Sequence, residues 1–463
     1  MLLYQYSLKI TIAFYCLILL IFLKEGIKLS KVLGIIAEYN PFHNGHLYHF
    51  ESSKKLTKTD YTVAIISGNF TQRGSTSIID KWSKTKMALE NGIDLVIELP
   101  VLYSISSAEN FADGAIKILN SLGIIDYLSF GSETSDIDIL KNISEILYNE
   151  PNGYKKLLKK ELDKGLSFPK ARENALLGYI KNSSNDIKFD IGKYTNIISS
   201  PNNILGIEYL KALKKYQSNI KPICIERTGT NYNSTDISTK NSFANDSIIN
   251  KLTAIGSATA IRELIKLKNY ETIKDLVPSS SYSILIDCLN DGCIVPDLNV
   301  FEKEIFYILR KMSVEEIANL PDVSEGLEFS IKKAANSYNN IDDFLNIVKS
   351  KRYTVTRLQR ILLYALLDIS KKDIELSKRI EKPYVRILGF NENGKKLVSQ
   401  IALNHPEITL ITSVKKFVDS NSNKNLQIMF AKDVFATDVY SLGFENNSLG
   451  NLDFKNGIIK YKK

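Results

Sequence analysis

The stretch Gly34-Ile-Ile-Ala-Glu-Tyr-Asn-Pro-Phe-His-Asn-Gly-His-Leu-Tyr-His49 decides the fold of this chain. It begins as an apolar run typical of a buried strand, turns at Pro41, and enters a helix through His43-Asn44-Gly45-His46. Gly45 has no side chain, so a nucleotide can lie against the backbone there. The helix N-terminus offers unpaired N–H groups and partial positive charge to phosphates. The stretch therefore predicts a strand–turn–helix unit that binds a nucleotide.

Two histidines of this stretch suggest which reaction it could support. His43 and His46 are three residues apart and share one helical face, so both imidazoles can donate hydrogen bonds to an α-phosphate as it becomes pentavalent. That stabilisation is electrostatic and requires no protein nucleophile. Only four histidines occur, and three of them lie within residues 43–49. We interpret the H-x-G-H pattern as a catalytic site; the alternative is a helix start with incidental histidines.

The chain around this unit alternates apolar runs with helical patterns. Residues 62–66, 94–97 and 125–130 read as buried strands, and residues 46–56 and 81–91 read as helices. This alternation predicts an α/β fold with a parallel sheet. The H-x-G-H pattern resembles the signature of nucleotidyltransferases, which implies a Rossmann-like nucleotidyltransferase domain. Each strand ends in polar or small residues, and ligands of such sheets bind at the carboxyl ends of the strands. We expect one site at that edge.

The remaining segments divide the chain into further regions. Residues 220–225 read as another strand, and Pro222 within it favours an edge position. We predict a nucleotidyltransferase-like domain at residues 31–270, a helical region at 271–380 and a small C-terminal α/β domain at 381–463.

Residues 1–30 differ from the rest of the chain. Residues 10–23 are almost wholly apolar but too few to span a bilayer comfortably. They fit a membrane anchor, a translocation signal or an extension upstream of the true start. We favour the extension, because a strand of the catalytic domain follows at once, and we expect membrane association only if residues 1–30 are an anchor. The four cysteines form no CxxC pair, which indicates a reducing, cytoplasmic compartment.

The charge of the chain suits a partner with many phosphates. Its formal net charge is +9, although enzymes without such partners can be equally basic. A basic cluster surrounds Tyr353, and it comprises Lys349, Lys351, Arg352, Arg357 and Arg360. Lys and Arg supply most sequence-independent affinity for RNA, and an aromatic ring can stack on a base. We predict an RNA contact here; the alternative is a solvated basic helix face.

Further motifs follow the first one in a specific order. They are Ser67-Gly-Asn-Phe-Thr-Gln-Arg-Gly74, Ile79-Asp-Lys-Trp82, Glu98-Leu-Pro100, Ser107-Ala-Glu109, Ser129-Phe-Gly-Ser-Glu133, Pro201-Asn-Asn-Ile-Leu-Gly206, Arg227-Thr-Gly229, Ser257-Ala-Thr-Ala-Ile-Arg262 and Lys351-Arg-Tyr-Thr354. Together with the first motif, this series resembles the bacterial tRNA(Met) cytidine acetate ligases along nearly the whole chain from residue 31.

The resemblance implies a ligase that forms acetyl-adenylate and pyrophosphate from acetate and ATP. It implies transfer of the acetyl group to the wobble cytidine of elongator tRNA(Met), giving N4-acetylcytidine. The implied ATP site comprises Ile36, Ala37, Glu38, Tyr39, Asn40, Pro41, Phe42, His43, Asn44, Gly45, His46, Leu47, Tyr48, His49, Gly131, Asn202 or Asn203, Arg227 and Thr228. Between the two asparagines we prefer Asn203.

Other residues suggest roles of their own. The helix start at Ser257 can hold the β- and γ-phosphates while Arg262 neutralises pyrophosphate; the alternative is an ordinary N-cap with a solvated arginine. We expect Mg²⁺ to accompany ATP, but its ligands stay unassigned, because Glu38 and Glu133 suit either a metal-bound water or the cap of a neighbouring helix. Candidates to line the acetate or phosphate side are Gln72, Arg73, Asp80 and Lys81.

Two other functions compete with the ligase. A nucleotidylyltransferase would join a nucleotide to a phosphorylated small molecule, but such enzymes are often much shorter. A non-catalytic RNA-binding protein would not need His43 and His46 intact. ATP–pyrophosphate exchange distinguishes the ligase from the nucleotidylyltransferase, since the ligase needs acetate and the nucleotidylyltransferase needs a phosphorylated acceptor. We predict no stable protein partner.

Overall fold

The structure, a computed structural model, describes residues 30–183, 191–227, 237–239, 254–324, 326–446 and 450–462. The apolar run at residues 10–23 and Thr228 lie outside these ranges. Within them, no helix is both long and apolar enough to cross a membrane.

The strands follow the predicted apolar runs and add others. They are β1 (Val32–Ala37), β2 (Tyr61–Ser67), β3 (Leu95–Leu99), β4 (Tyr127–Ser132), β5 (Lys221–Glu226), β6 (Ile237–Thr239), β7 (Ala254–Gly256), β8 (Val385–Phe390), β9 (Leu410–Ile411) and β10 (Ile459–Lys460).

Helices connect these strands and form the long region between β7 and β8. They are α1 (Asn44–Thr57), α2 (Lys81–Glu90), α3 (Val101–Ser104), α4 (Ala108–Ser121), α5 (Ile137–Asn149), α6 (Asn152–Asp163), α7 (Phe168–Ser183), α8 (Ile191–Ser199), α9 (Pro201–Lys215), α10 (Ala258–Lys266), α11 (Tyr270–Lys274), α12 (Ser279–Asn290), α13 (Glu302–Lys311), α14 (Val314–Ala318), α15 (Leu327–Ser337), α16 (Ile341–Val348), α17 (Val355–Leu366), α18 (Lys371–Arg379), α19 (Glu392–Asn404), α20 (Val414–Ser420), α21 (Lys424–Ser441) and α22 (Leu452–Lys455). A 3₁₀ turn, Leu298–Phe301, precedes α13.

The central sheet has the order β10-β8-β3-β2-β1-β4-β5, with β9 pairing β8. Strands β1 to β5 pair in parallel, which confirms the predicted α/β class with a mostly parallel sheet. In this order β5 is an edge strand, the position that Pro222 favoured. The chain extends the sheet from β1 first toward β3 and then, through β4, in the opposite direction. The crevice between the carboxyl ends of β1 and β4 is therefore the topological switch point at which such sheets bind ligands.

The sheet is covered on both faces, which explains its uninterrupted apolar strands. Leu33, Ile35 and Ile66 belong to one hydrophobic cluster, while Val63 and Ile65 belong to another. Alternating residues of one strand thus enter opposite layers, because successive side chains point to opposite faces.

Residues 381–463 extend this same sheet. Strand β8 runs antiparallel beside β3, and β10 runs parallel to β8. A buried ionic cluster joins the two parts: Lys81 Nζ lies 3.0 Å from Glu98 Oε1 and 2.8 Å from Asp453 Oδ1, and Arg386 pairs with both acids. Lys81 is fully buried there. It therefore holds the C-terminal segment in place, and its burial and ion pairs argue against the expectation that it lines the acetate or phosphate side.

Candidate active site

His43 and His46 cap helix α1 reciprocally. His43 is the N-cap residue, and its Nδ1 accepts a hydrogen bond from the Gly45 N–H at 3.0 Å. The Nδ1 of His46 accepts the His43 N–H at 3.3 Å. This is the geometry of a capping box, with imidazole nitrogens as both acceptors. The sequence therefore places the two rings side by side at the carboxyl end of β1.

The caps also determine where each imidazole carries its proton. A neutral imidazole has one donor and one acceptor nitrogen, so an accepting Nδ1 assigns the proton to Nε2. Burial, followed by the charges of Arg227 and Arg262, lowers the pKa of His43 to about 3. Burial, followed by His43 and Arg227, lowers the pKa of His46 well below its ordinary value. Both rings are thus neutral at physiological pH, and each presents an Nε2–H donor.

Gly45 gives the His43 ring the space that it needs. A methyl group at residue 45 would lie 2.8 Å from Cε1 and 3.0 Å from Nδ1 of His43. Because real carbon atoms do not approach so closely, a larger residue would displace the ring from its cap. The structure thus adds a reason for this glycine to the one that the sequence suggested.

The turn before α1 is held by buried side chains. Tyr39 has a positive φ of 48°, and its ring packs edge-on against His46 at 5.0 Å between centroids. Asn40 Oδ1 accepts the Ile78 N–H at 2.7 Å, and Asn44 Nδ2 donates to the Ala254 carbonyl at 2.7 Å. Pro41 and Phe42 are buried as well. The side chains of Tyr39, Asn40, Pro41, Phe42 and Asn44 thus shape the turn.

Two arginines converge on this turn from distant parts of the chain. Arg262 on α10 donates from Nη1 to the Asn40 carbonyl at 3.0 Å. Helix α10 is capped by Ser257, whose hydroxyl accepts the Ala260 N–H at 3.0 Å. Arg227 follows β5, and a methyl group at Gly131 would lie 3.5 Å from its Cγ. Both arginines lower the pKa of His43, so positive charge surrounds the two Nε2–H donors.

Glu133 and the two asparagines lie at the carboxyl end of β4, next to Arg227. Glu133 accepts Asn202 Nδ2 at 2.6 Å and the Asn203 N–H at 2.9 Å, so it caps α9. The Asn203 amide is buried and bonded at both ends, to the Glu133 N–H and the Ile197 carbonyl. Asn202 is only half-buried. These contacts favour Asn202, rather than our preferred Asn203, as the asparagine whose side chain contacts a ligand. They also favour the helix cap, rather than a metal-bound water, as the role of Glu133.

A buried lysine that the sequence analysis missed joins β1 to β2. Lys84 Nζ donates to the carbonyls of Glu38, Ser67 and Gly68 at 3.1, 2.7 and 2.6 Å. Burial lowers its pKa to about 7, although Glu38 and other nearby carboxylates act in the opposite direction. Within residues 81–91 no sequence signal separates Lys84 from a solvated helix lysine.

The remaining predicted ATP residues line the same edge. His49 Nε2 lies 2.9 Å from Ser129 Oγ, which ties α1 to β4, and burial lowers the pKa of His49 to about 4. Glu38 is half-buried, and its Oε1 accepts the Gln72 N–H at 2.8 Å. Ile36 is buried near the end of β1, whereas Ala37, Leu47 and Tyr48 are half-buried.

The basic cluster around Tyr353 divides into exposed and buried members. Lys351 and Arg352 are exposed. Arg357 lies over the Tyr353 ring at 4.9 Å and donates from Nε to the Asp322 carbonyl at 2.8 Å. Arg360 is only 9% exposed, and its guanidinium pairs with the Asp322 carboxylate at 2.9 Å. Its burial and its ion pair remove Arg360 from the predicted RNA contact.

Comparisons with known proteins agree with this architecture. The model of a family described as HIGH Nucleotidyl Transferase matches residues 30–453. The tRNA(Met) cytidine acetate ligases of Thermoanaerobacter sp. (strain X514) and Thermoanaerobacter pseudethanolicus are 45% and 46% identical, over 93% of this chain and 99% of their own lengths. Crystal structures of Thermotoga maritima TmcAL superpose with TM-scores of 0.86 (apo, 34% identity) and 0.83 (bound with alpha-thio ATP, 33% identity). Both comparisons cover 94% of this chain and 100% of the other.

Proposed function

The chain belongs to the HIGH nucleotidyl transferases and, among them, to the tRNA(Met) cytidine acetate ligases, and from this premise we propose the reaction that it catalyses. The protein forms acetyl-adenylate from acetate and ATP with release of pyrophosphate. It then acetylates the wobble cytidine of elongator tRNA(Met) to N4-acetylcytidine. We place this activity in the cytoplasm, where ATP and tRNA are available.

The observation that carries the proposal is the pair of Nε2–H donors fixed by the caps of His43 and His46. In the first step an acetate oxygen bonds to the α-phosphorus while the bond to the bridging oxygen of pyrophosphate breaks. Negative charge then builds on the non-bridging α-phosphate oxygens. Donors that are already oriented toward that charge stabilise it without reorganising, and each typically contributes about a hundredfold to a thousandfold in rate.

The arginines serve the leaving group. Arg262 and Arg227 flank the histidines, and we propose that they neutralise the β- and γ-phosphates as pyrophosphate departs. The N-terminus of α10 at Ser257 is proposed to face the same phosphates. Gly131, Asn202 and the residues at the end of β1 are proposed to hold the nucleoside. Thr228 belongs to this proposal from the sequence alone.

Mg²⁺ is proposed to enter with ATP, bound chiefly by phosphate oxygens, as is usual for this ion. In the described residues no group of three or more His, Cys, Asp or Glu side chains is arranged to hold a metal. Glu133 is committed to the α9 cap, so Glu38 is the strand-end carboxylate that fits a water of the ion's shell. When bound, the ion would neutralise triphosphate charge.

In the second step the exocyclic amine of the cytidine attacks the acyl carbon of the adenylate. The carbon–oxygen bond to AMP breaks, AMP departs, and the amine loses one proton. Such a transfer requires one anticodon base at the crevice between β1 and β4. The exposed Lys351 and Arg352, together with Arg357, are proposed to contact the tRNA.

Two measurements on the purified protein test the proposal. Exchange of labelled pyrophosphate into ATP should depend on acetate, with chloride as the control anion. Mass spectrometry of digested elongator tRNA(Met) should show N4-acetylcytidine only when ATP and acetate are both present. Exchange that ignores acetate but responds to a phosphorylated alcohol would instead indicate a nucleotidylyltransferase.

A further inference from the structure

Helix α6 carries an exposed row of lysines that the reaction at the histidines does not use. Lys155, Lys156, Lys159 and Lys160 are all exposed. They form two like-charge pairs at i,i+4 spacing, each of which destabilises an isolated helix by about 0.2–0.5 kcal/mol. Lys155 lies 3.7 Å from Glu150, but no carboxylate of the described residues is within ion-pair distance of the other three lysines. This face therefore concentrates positive charge that ion pairs with the described carboxylates neutralise only at Lys155.

The opposite face of α6 fixes the direction in which these lysines point. Tyr154 is buried, and its ring meets Tyr179 of α7 edge-on at 6.5 Å between centroids. Leu157 and Leu158 pack against the main hydrophobic core. Because these apolar residues hold α6 against α7, the lysines cannot turn inward. They stay available to a partner in solvent.

A second basic segment meets the end of this hairpin. Residues 350–353 form a tight turn, closed by hydrogen bonds between the backbones of Ser350 and Tyr353 at 3.2 Å. Arg352 on this turn reaches the α6–α7 connection, where a methyl group at Gly165 would lie 3.7 Å from its Nη2. The basic turn at Arg352 thus lies beside the connection that follows the lysines of α6, although the two segments are far apart in sequence.

The hairpin is also braced to a wall of the nucleotide site. Arg172 of α7 pairs with the buried Glu208 of α9 at 2.6 Å. The first turn of α9 is the one that Glu133 caps at the end of β4. A partner held on α6 is therefore held by a hairpin that an ion pair connects to α9, the helix that begins at the end of β4.

We propose that Lys156, Lys159 and Lys160, continued by Lys351 and Arg352, form one surface that binds the phosphate backbone of the tRNA substrate. This inference rests on the proposed function. Charge complementarity supports it, because a polyanion removes the repulsion within α6 and the pairing of lysine with phosphate releases counterions. Removal of one lysine–phosphate pair should lower the slope of log affinity against log salt by about 0.7–0.9.

The test is the variant Lys156→Gln/Lys159→Gln/Lys160→Gln in the full chain. Its matched control, Lys395→Gln/Lys396→Gln/Lys415→Gln, removes the same charge from exposed positions on α19 and α20. Filter binding of tRNA(Met) is measured from about 50 to about 300 mM salt, a range in which phosphate binding changes steeply. Acetate-dependent exchange and thermal melting report on the site and the fold.

We expect the α6 variant to lose at least about tenfold in tRNA affinity near physiological salt and about two units of slope. Exchange and melting should match the wild type, and the control should bind tRNA normally.

Several results would overturn the inference. One is unchanged tRNA affinity and slope in the α6 variant, and another is an equal loss in the control, which would reduce the effect to net charge. A third is loss of binding to phosphatidylserine vesicles with tRNA binding intact, which would make α6 a membrane contact. Absence of acetate-dependent exchange in the wild type is a different result, since it contradicts the proposed function.

Discussion

The rings of His43 and His46 lie 3.8 Å apart between centroids because each accepts a backbone N–H of the same helical turn. One pair of hydrogen bonds therefore does two things, since it closes the N-terminus of α1 and leaves two Nε2–H groups free to donate. A useful substitution must therefore separate these two roles: it must remove the Nε2–H donor and keep the hydrogen bond that caps α1.

His43→Asn makes that separation, because Asn is among the best N-cap residues but lacks an Nε2–H. We expect the Asn variant to unfold at nearly the wild-type denaturant concentration, whereas His43→Ala should lose about 1 kcal/mol. Both should lose about a hundredfold to a thousandfold in acetate-dependent ATP–pyrophosphate exchange. Normal exchange by His43→Asn would show that the ring donates nothing to the transition state.

The lowered histidine pKa values predict a pH dependence of stability. Burial holds the pKa of His43 at about 3 and that of His49 at about 4, whereas the unfolded chain titrates near 6.5. Below about pH 6.5 the unfolded state binds more protons, so stability should fall as the pH drops, by about 1.4 kcal/mol per pH unit for each such histidine. Urea unfolding at about pH 7, 6 and 5 measures this slope. The slope should decrease in His43→Asn, and equal slopes in the two proteins would contradict the assignment.

Lys84→Met tests the lysine that joins β1 to β2. Removing its ammonium leaves two buried carbonyls and one half-buried carbonyl without their donor, and each unsatisfied buried group costs about 1–3 kcal/mol. We expect a loss of at least about 3 kcal/mol in the free energy of unfolding, together with weaker ATP binding. Lys86→Met is the matched control, since Lys86 is exposed on the same helix and should change stability by less than about 0.5 kcal/mol. Equal effects of the two substitutions would argue against the role given to Lys84.

Gly74→Ala tests how the loop after β2 sits against α17. Gly74 has a φ of +78°, and a methyl group there would lie 2.5 Å from the backbone nitrogen of Arg360. Gly326 provides the control, because its φ is +82° but a methyl group would meet nothing within 4 Å. Both substitutions carry the strain of a left-handed alanine, and only Gly74→Ala adds overpacking, worth about 1–3 kcal/mol more. A calorimetric comparison showing equal destabilisation would mean that the loop moves aside freely.

The elements of the fold that depend only on nearby residues in the sequence were predictable. Strands β1 to β4 and the start of α10 at Ser257 follow from apolar runs and cap residues, and the structure confirms them to within a few residues. The pairing of β8 with β3 was not predictable, since a short apolar run specifies a strand but not its neighbour. Lys81 was expected to line the acetate or phosphate side and Lys84 was missed, because the groups that surround both lysines come from other elements.

In the site, too, local sequence predicted some features, and others depended on contacts between distant parts of the chain. The H-x-G-H pattern predicted two histidines on one helical face, but only the structure shows that their Nδ1 atoms are occupied by the backbone. Glu133 was equally compatible with a metal-bound water and a helix cap, and the choice depended on where α9 begins in space. The exposed and buried members of the basic cluster differ through Asp322, which lies outside the cluster in sequence.

The ionic cluster of Lys81, Glu98, Arg386 and Asp453 joins parts of the chain that the ribosome makes at different times. The ribosome makes His43, His46 and strands β1 to β5 long before Arg386 and Asp453. Lys81 and Glu98 can pair with each other in an unfinished chain, but β3 has no strand on its outer edge until β8 is made. Residues 385–453 thus join the sheet late, and a chain that ends before them leaves the edge of β3 unpaired, the kind of edge that promotes aggregation.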